Sequence, residues 1–502
     1  MKKKIFYITT PIYYPSAKPH MGHAYSSISA DVIARFYRLD DYVVKFVTGT
    51  DEHGQKIEKS ANEVNLSPLD FCNKISKVFF NLSKLLNLSN TDFIRTTEVR
   101  HINTVQKLWK ILESNDYIYL SKYSGWYSVS DEAFYSDNEI AEVENKKICK
   151  ATGSSVEWVE EESYFFRLSK FEKKLLNYYQ KNPDFIGPSS RKNEVVSFVK
   201  SGLRDLSISR TSFKWGIPVP NNQKHIMYVW LDALTNYLTA ANYFDKNTFW
   251  PTDIHIIGKD ILRFHAVYWP AFLMAANIPL PKKVFGHGWI LSGEEKMSKS
   301  KGNILDPIEI INEFGLDEIR YYLMKEVIYG LDGKINIDNL KNCINSDLAN
   351  NIGNLSQRIF ALIAKYFSNK VPNHIEYNQE ELLLINIDLE VFKKHMHSLE
   401  IHNYVREIVN YASKINKYIN DEQPWVKIKN TDNRVACILN VGLNALKNIF
   451  ILLHPIIPKK SEDFLNCLNI QNDQISFKYI KTRLANDMSI AQPGILFKKF
   501  NL

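Results

Sequence analysis

Four short apolar runs, each closed by a glycine-bearing polar cluster, restrict this chain more than any other feature. Residues 5–9 (Ile-Phe-Tyr-Ile-Thr) and 43–48 (Val-Val-Lys-Phe-Val-Thr) read as strands, with helix-compatible spacing from His20 to about Leu39 between them. That is a βαβ unit, which implies a parallel strand pair. Residues 254–257 and 284–285 precede glycines in the same way, so the sheet resumes after a long interruption. Parallel strands buried on both faces read as continuous apolar runs, and such sheets bind ligands beyond their carboxyl ends. The expected fold class is α/β: a Rossmann-like parallel sheet split by an inserted domain and followed by an α-helical bundle.

The texture of the 502 residues divides accordingly. Residues 1–114 and 223–303 form the two halves of the sheet domain. Between them, 115–222 carries Tyr and Ser in turn-like clusters, the acidic patch Glu160-Glu161-Glu162 and the exit Pro218-Val219-Pro220. A linking region, 304–345, opens on Asp306-Pro307-Ile308-Glu309, a helix start with Asp as cap and Pro in the first turn. From 346 to 502 apolar residues such as Ile352, Leu355, Ile359, Leu362 and Ile363 recur at helical spacing. With 45% hydrophobic and 24% charged residues, a disordered chain is excluded. The net charge of +8 fits a polyanionic partner without requiring one. Five scattered cysteines with no CxxC pair exclude a disulfide framework and a zinc ribbon. No signal-peptide core is present and no run approaches the ~18 apolar residues of a membrane span, so a cytoplasmic protein without a membrane partner is expected.

The strand ends carry the chemistry. After the first come Pro11-Ile12-Tyr13-Tyr14-Pro15 and then His20-Met21-Gly22-His23 opening a helix. Imidazoles at i and i+3 near a helix N-terminus can donate to phosphate oxygens as charge develops in nucleotidyl transfer, or simply cap the helix. The second end, Thr48-Gly49-Thr50-Asp51-Glu52-His53-Gly54, offers a carboxylate for a substrate ammonium, or an Asx-type turn. The third gives Gly258-Lys259-Asp260 and Phe264-His265, and the fourth Gly286-His287-Gly288-Trp289. The fourth leads into Lys296-Met297-Ser298-Lys299-Ser300, where two lysines on a small-residue segment can neutralise departing pyrophosphate. Trp230, Ala233 and Tyr237 lie at i, i+3 and i+7, on one helical face.

Taken with Tyr228-Val229-Trp230-Leu231-Asp232-Ala233, these motifs resemble the class I aminoacyl-tRNA synthetases and, within them, the methionyl-tRNA synthetases; the match runs from the first strand into the bundle. The resemblance implies activation of L-methionine by ATP to methionyl-adenylate, with magnesium accompanying ATP, and transfer to the terminal adenosine of tRNA(Met). It implies that His20, His23, Lys296 and Lys299 are catalytic, and that these four with Gly22, Gly258 and Asp260 bind ATP. Ile12, Tyr14, Trp230, Ala233, Tyr237, Phe264 and His265 would line the methionine pocket, with Asp51 on the α-ammonium. Aromatic walls suit a thioether. One methylene is worth only about 1–3 kcal/mol, so homocysteine must be edited, and Trp269 matches a position implicated in that step.

In the bundle, Asn354 and Arg358 (i, i+4) and Trp425, which follows Pro424 at a helix break, would read the CAU anticodon. Many relatives hold zinc in the insertion through paired cysteines. Here Tyr127-Ser128-Val129-Ser130-Asp131-Glu132 has Ser and Asp where thiolates would sit, and Cys149-Lys150-Ala151-Thr152 keeps one cysteine, so no structural zinc is expected. The close at Gln492–Lys499 resembles the shorter family members, and a monomer is expected. The rival readings are a small-molecule nucleotidyltransferase, a synthetase for another aliphatic amino acid, and a catalytically silent tRNA-binding protein on a synthetase scaffold.

Overall fold

The computed structural model describes residues 4–15, 18–131, 133–143, 146–246, 249–292, 295–296, 306–373, 376–430 and 432–501. In chain order the elements that matter here are β1 (Ile5–Tyr13), α1 (Met21–Leu39), β2 (Val43–Thr50), β3 (Asp92–Arg95), α2 (Val99–Ser114), β4 (Ile186–Gly187), α3 (Val229–Ala240), β5 (Ile254–Gly258) and β6 (Val284–His287). They are followed by β7 (Ile290–Ser292), β8 (Glu295–Lys296), α4 (Leu316–Glu326), β9 (Gly333–Ile335), α5 (Asn354–Phe367), α6 (Ile401–Glu422) and α7 (Arg434–Leu453). The chain divides into two compact units, one of Ile5–Pro19 with Lys45–His287, the other of Met1–Lys4, His20–Val44 and Gly288–Leu502.

In the first unit a six-stranded sheet runs in the order β3-β2-β1-β5-β6-β4. Its registered pairs β2–β3, β1–β5, β5–β6 and β6–β4 are all parallel. Buried threonines tie β1 to both neighbours: Thr10 Oγ1 donates to Thr48 Oγ1 at 2.8 Å, and Thr9 Oγ1 lies 2.8 Å from His255 Nδ1. Two strands outrun their sequence boundaries. β1 continues through Pro11 and Ile12 because its pairing partner continues: Asp51 N donates to Tyr13 O at 2.9 Å. β2 extends over Gly49 and Thr50, which pair with Ile94 and Arg95.

The segment 115–222 is built on a long antiparallel pair, Ile118–Ser128 against Glu157–Phe166, with a hairpin of Ile140–Val143 and Lys146–Cys149. It also lends β4 to the parallel sheet, pairing Ile186 with Val284 and Gly187 with Phe285. Two residues are too few to show a strand period, so this sixth strand left no trace in the sequence pattern. α2 buries His101, Val105, Leu108, Trp109 and Leu112 along one stripe and packs on α3.

The second unit holds α1, the small sheet β8-β7-β9 and the helices to the C-terminus. Asp306 caps the helix Pro307–Phe314 by accepting from Ile308 N at 2.8 Å, as its sequence suggests. α1 is anchored by a fully buried ion pair in which Arg320 of α4 donates to Asp31 at 2.7 Å and also to the carbonyls of Pro455 and Ile456. α7 corrects the expectation that no stretch approaches a membrane span: it is long and apolar enough by length and composition. It is instead the core helix of its unit, with buried polar residues that all find partners there. Asn440 and Asn444 are hydrogen-bonded, and Lys447 donates to the carbonyls of Tyr479, Ile480 and Thr482.

Candidate functional site

Every residue that the resemblance assigns to the amino-acid pocket lies in the first unit. α3 presents Trp230, Ala233 and Tyr237 from one face, and the end of β5 leads through a 3₁₀ turn into a π-helical stretch, Phe264–Tyr268, carrying Phe264 and His265. Such π stretches recur at functional sites because they re-aim side chains inside a helix. Trp230 and Phe264 stack at 3.7 Å with planes 3° apart. Tyr237 Oη lies 2.8 Å from His265 Nε2, and His265 Nδ1 lies 3.0 Å from the carbonyl of Ile261. A carbonyl only accepts, so Nδ1 carries the proton and Nε2 accepts from Tyr237. Burial brings His265 down to about 4, which keeps the ring neutral.

A second imidazole, His255 on β5, was not singled out from the sequence. Its ring lies 4.1 Å from that of Tyr237, and burial followed by the neighbouring His265 holds it well below the usual histidine range. A histidine inside the apolar run Ile254–Ile257 was the available signal. Trp269 is fully buried, its ring 6.1 Å from that of Tyr237 and 6.0 Å from that of Trp250. Tyr14, half-buried, donates to His53 O at 2.9 Å. Ile12 lies half-buried in β1, and Asp51 is buried at the carboxyl end of β2. The Glu52 carboxylate beside Asp51 is fully committed, to Arg95 at 2.7 and 3.0 Å, Thr97 at 2.6 Å and Thr50 at 2.7 Å. Gly258 allows the turn after β5, since a Cβ there would come within 2.6 Å of Asp260 Oδ1. The side chains brought together here are aromatic rings and imidazoles whose protonation burial opposes, a set that favours an uncharged, polarisable partner.

The second unit carries the His20-Met21-Gly22-His23 motif at the start of α1. His20 is the N-cap, its Nδ1 accepting from Gly22 N at 3.1 Å, while His20 N donates to His23 Nδ1 at 3.1 Å. Both Nδ1 atoms are acceptors, so each neutral ring holds its proton on Nε2. Burial and the neighbouring His20 ring, 3.9 Å away, lower His23 well below the usual histidine range. Gly22 is required by this fold-back, because a Cβ would meet His20 Cε1 at 2.9 Å. The helix-capping reading is the one the geometry shows, and the cap fixes the tautomer. α1 packs on β7, and Lys296 lies in β8 opposite Leu291 of β7. Lys299, with Met297, Ser298 and Ser300, lies outside the described residues.

In the same unit α5 begins at Asn354, after the π-helical stretch Ile344–Gly353, and places Arg358 one turn on. α6 ends at Gln423, whose φ of 46° is left-handed, and Pro424 starts a new turn with Trp425. The Arg358 guanidinium lies 4.8 Å from the Trp425 ring and donates to Asn420 Oδ1 at 2.7 Å. Trp425 is 37% exposed. Asn354 sits at the head of this helix.

Where relatives would hold a metal, the insertion has a carboxylate hub. Asp131 accepts from Tyr135 Oη at 2.8 Å, Thr152 Oγ1 at 2.7 Å and Ser154 Oγ at 2.7 Å. With both oxygens engaged and Cys149 the one thiol in the stretch, the residues do not fit tetrahedral zinc. Among the described residues no group of three or more His, Cys, Asp or Glu could hold a metal ion. Glu132 lies outside the described residues.

A split parallel sheet, a histidine-capped helix after its first strand and a helical C-terminal region define the class I tRNA synthetases. The family model described as tRNA synthetases class I (M) matches residues 6–360, and that of the anticodon binding domain of methionyl tRNA ligase matches 371–501. A methionine–tRNA ligase of Rickettsia felis is 48% identical over 511 residues, 99% of each chain, and that of Rhizobium meliloti 46% over 505, 99% of this chain and 98% of the other. The Mycobacterium tuberculosis methionyl-tRNA synthetase in complex with methionyl-adenylate superposes with a TM-score of 0.96 at 43% identity, covering 98% of this chain and 99% of that one. The chain belongs to the methionyl-tRNA synthetase family.

Proposed function

We propose that this chain activates L-methionine with ATP and attaches it to the 3′-terminal adenosine of tRNA(Met) for translation initiation and elongation, with the roles divided as follows. Methionine is held in the first unit. Its thioether lies among Trp230, Ala233, Tyr237, Phe264 and His265, with Ile12 and Tyr14 completing the wall and Asp51 taking the α-ammonium. The observation that carries this is the Tyr237–His265 pair: two polar side chains at the pocket floor that satisfy each other and leave it uncharged. A cationic or anionic side chain would be desolvated there without a partner.

His20 and His23, protonated on Nε2, donate to ATP phosphate oxygens and strengthen as the methionine carboxylate attacks the α-phosphorus and pyrophosphate leaves. Gly22, Gly258 and Asp260 complete nucleotide binding, and Lys296 and Lys299 neutralise the departing pyrophosphate. Magnesium would accompany ATP and offset the charge of its phosphates. Trp269 shapes the deep wall against which homocysteine is discriminated. Residues 1–114 and 223–303 form the catalytic domain, 115–222 a zinc-free insertion, 304–345 the stem contact and 346–502 the anticodon domain, in which Asn354, Arg358 and Trp425 read CAU. The chain acts as a cytoplasmic monomer.

Charging of tRNA(Met) transcripts tests this assignment. Methionine is attached to the CAU transcript, and single-base anticodon changes lower kcat/KM by about 10²-fold. Charging indifferent to the anticodon would overturn the roles of Asn354, Arg358 and Trp425. ATP binding with no adenylate would put the silent tRNA-binding reading first.

A further inference from the structure

The face of α3 that turns away from the pocket carries a buried polar chain joining three elements of the first unit. Asp232, 1% exposed, lies 2.6 Å from His53 Nδ1 through one carboxylate oxygen and 2.7 Å from His101 Nε2 through the other. Burial by itself would raise Asp232, yet the two imidazoles bring it down to about 2, so it stays ionised. His101, on α2, reaches back to α3 a second time, its Nδ1 lying 3.0 Å from Thr239 Oγ1. Thr239 Oγ1 also lies 3.2 Å from Thr235 O, one turn back on the same helix. The His101 ring is therefore gripped by α3 at two points seven residues apart.

Those two points share one helical face, while Trp230, Ala233 and Tyr237 occupy another. Through Asp232 the chain ties the turn that carries Asp51 to α3, on the face opposite Trp230, Ala233 and Tyr237. At the other end of the chain His53 belongs to the turn that follows Asp51. The rest of that turn is pinned without slack: Gly54 N donates to Trp215 O at 3.1 Å, Trp215 Nε1 to Glu52 O at 2.6 Å and Tyr14 Oη to His53 O at 2.9 Å. We propose that the Thr239–His101–Asp232–His53 chain is a positioning device for methionine recognition, coupling the rotation of α3 to the placement of Asp51. Buried ionic networks are retained where they specify one arrangement rather than add net stability.

The proposal rests on Asp51 as the ammonium ligand, and the test separates the two. In pyrophosphate exchange, Asp232→Asn raises the methionine KM about 30-fold while the ATP KM and kcat stay within about 3-fold. In an Asp51→Ala background the same substitution adds less than about 3-fold, because it acts through Asp51. Inhibition by 4-(methylthio)butanoate, which lacks the ammonium, changes less than 3-fold for Asp232→Asn. An unchanged methionine KM in folded Asp232→Asn, equal losses in ATP KM and kcat, or full additivity with Asp51→Ala would overturn the proposal. An unchanged methionine KM in Asp51→Ala alone would overturn the Asp51 reading instead. Should Asp232→Asn fail to fold, Thr239→Val carries the test. A rise of about 3-fold confined to methionine KM supports the chain, and no change refutes it.

Discussion

The proposed methionine pocket and the proposed anticodon-reading face at Arg358 and Trp425 use the same materials, aromatic rings beside a polar group, at opposite ends of exposure. In the pocket the polar atoms of Tyr237 and His265 are bound to each other and to Ile261 O, so the substrate meets a neutral surface. On the face, Trp425 is 37% exposed and Arg358 keeps its charge against the ring. A small apolar side chain is selected by what the wall withholds, whereas an unstacked base is selected by what the surface presents. The two regions should therefore fail differently.

The largest separation is expected from Asp51→Ala. Removing one partner of a buried charged hydrogen bond costs about 3–4 kcal/mol, so methionine KM rises about 10² to 10³-fold while the KM for tRNA holds. Pyrophosphate exchange and charging on one preparation check it. The pocket also has a pH signature that the face lacks. Above about 6.5 His265 is neutral folded and unfolded, and contributes nothing to the pH slope. Between 6.5 and about 4 the unfolded chain takes up a proton that the folded pocket refuses, so stability falls as pH falls, by up to about 3 kcal/mol. Urea unfolding of His265→Gln beside the parent chain, from pH 7 to 4, shows the parent losing more. Equal slopes would place the ring elsewhere.

Trp425→Ala is the converse. A lost stack of about 1–3 kcal/mol lowers kcat/KM for tRNA roughly 10 to 100-fold with exchange unaltered. An altered methionine KM would erase the division. Smallest is Tyr237→Phe, which leaves His265 Nε2 without its donor: a loss of about 1–2 kcal/mol in unfolding free energy and a several-fold rise in methionine KM, with tRNA KM unchanged.

Much of the proposed site could be named from the sequence because its residues sit at strand ends and helix starts, where turn chemistry writes itself into short motifs. His20 with Gly22 and His23, Asp51 after β2, and Asp306 before its helix all emerged that way. The one-face spacing of Trp230, Ala233 and Tyr237 also survived into α3. What stayed hidden depends on distant chain segments meeting. His101 and Asp232 are 131 positions apart, and neither lies in a motif that calls for the other. β4 joins the sheet through two residues, too few for any period. α7 is buried on nearly every side because helices surround it, and its composition alone cannot be told from that of a membrane span. The Asp131 hub shows the same limit: sequence revealed missing thiolates, but not that three hydroxyls would converge on the carboxylate instead.

The most direct measurement is amino-acid-dependent exchange of labelled pyrophosphate into ATP, run with each of the twenty amino acids in a chelator that strips zinc and spares magnesium. The proposed neutral, ring-walled pocket, together with the proposed zinc-free insertion, predicts exchange with methionine alone and at an undiminished rate. Exchange driven by another amino acid, or methionine-dependent exchange that collapses until zinc is restored, would contradict the account.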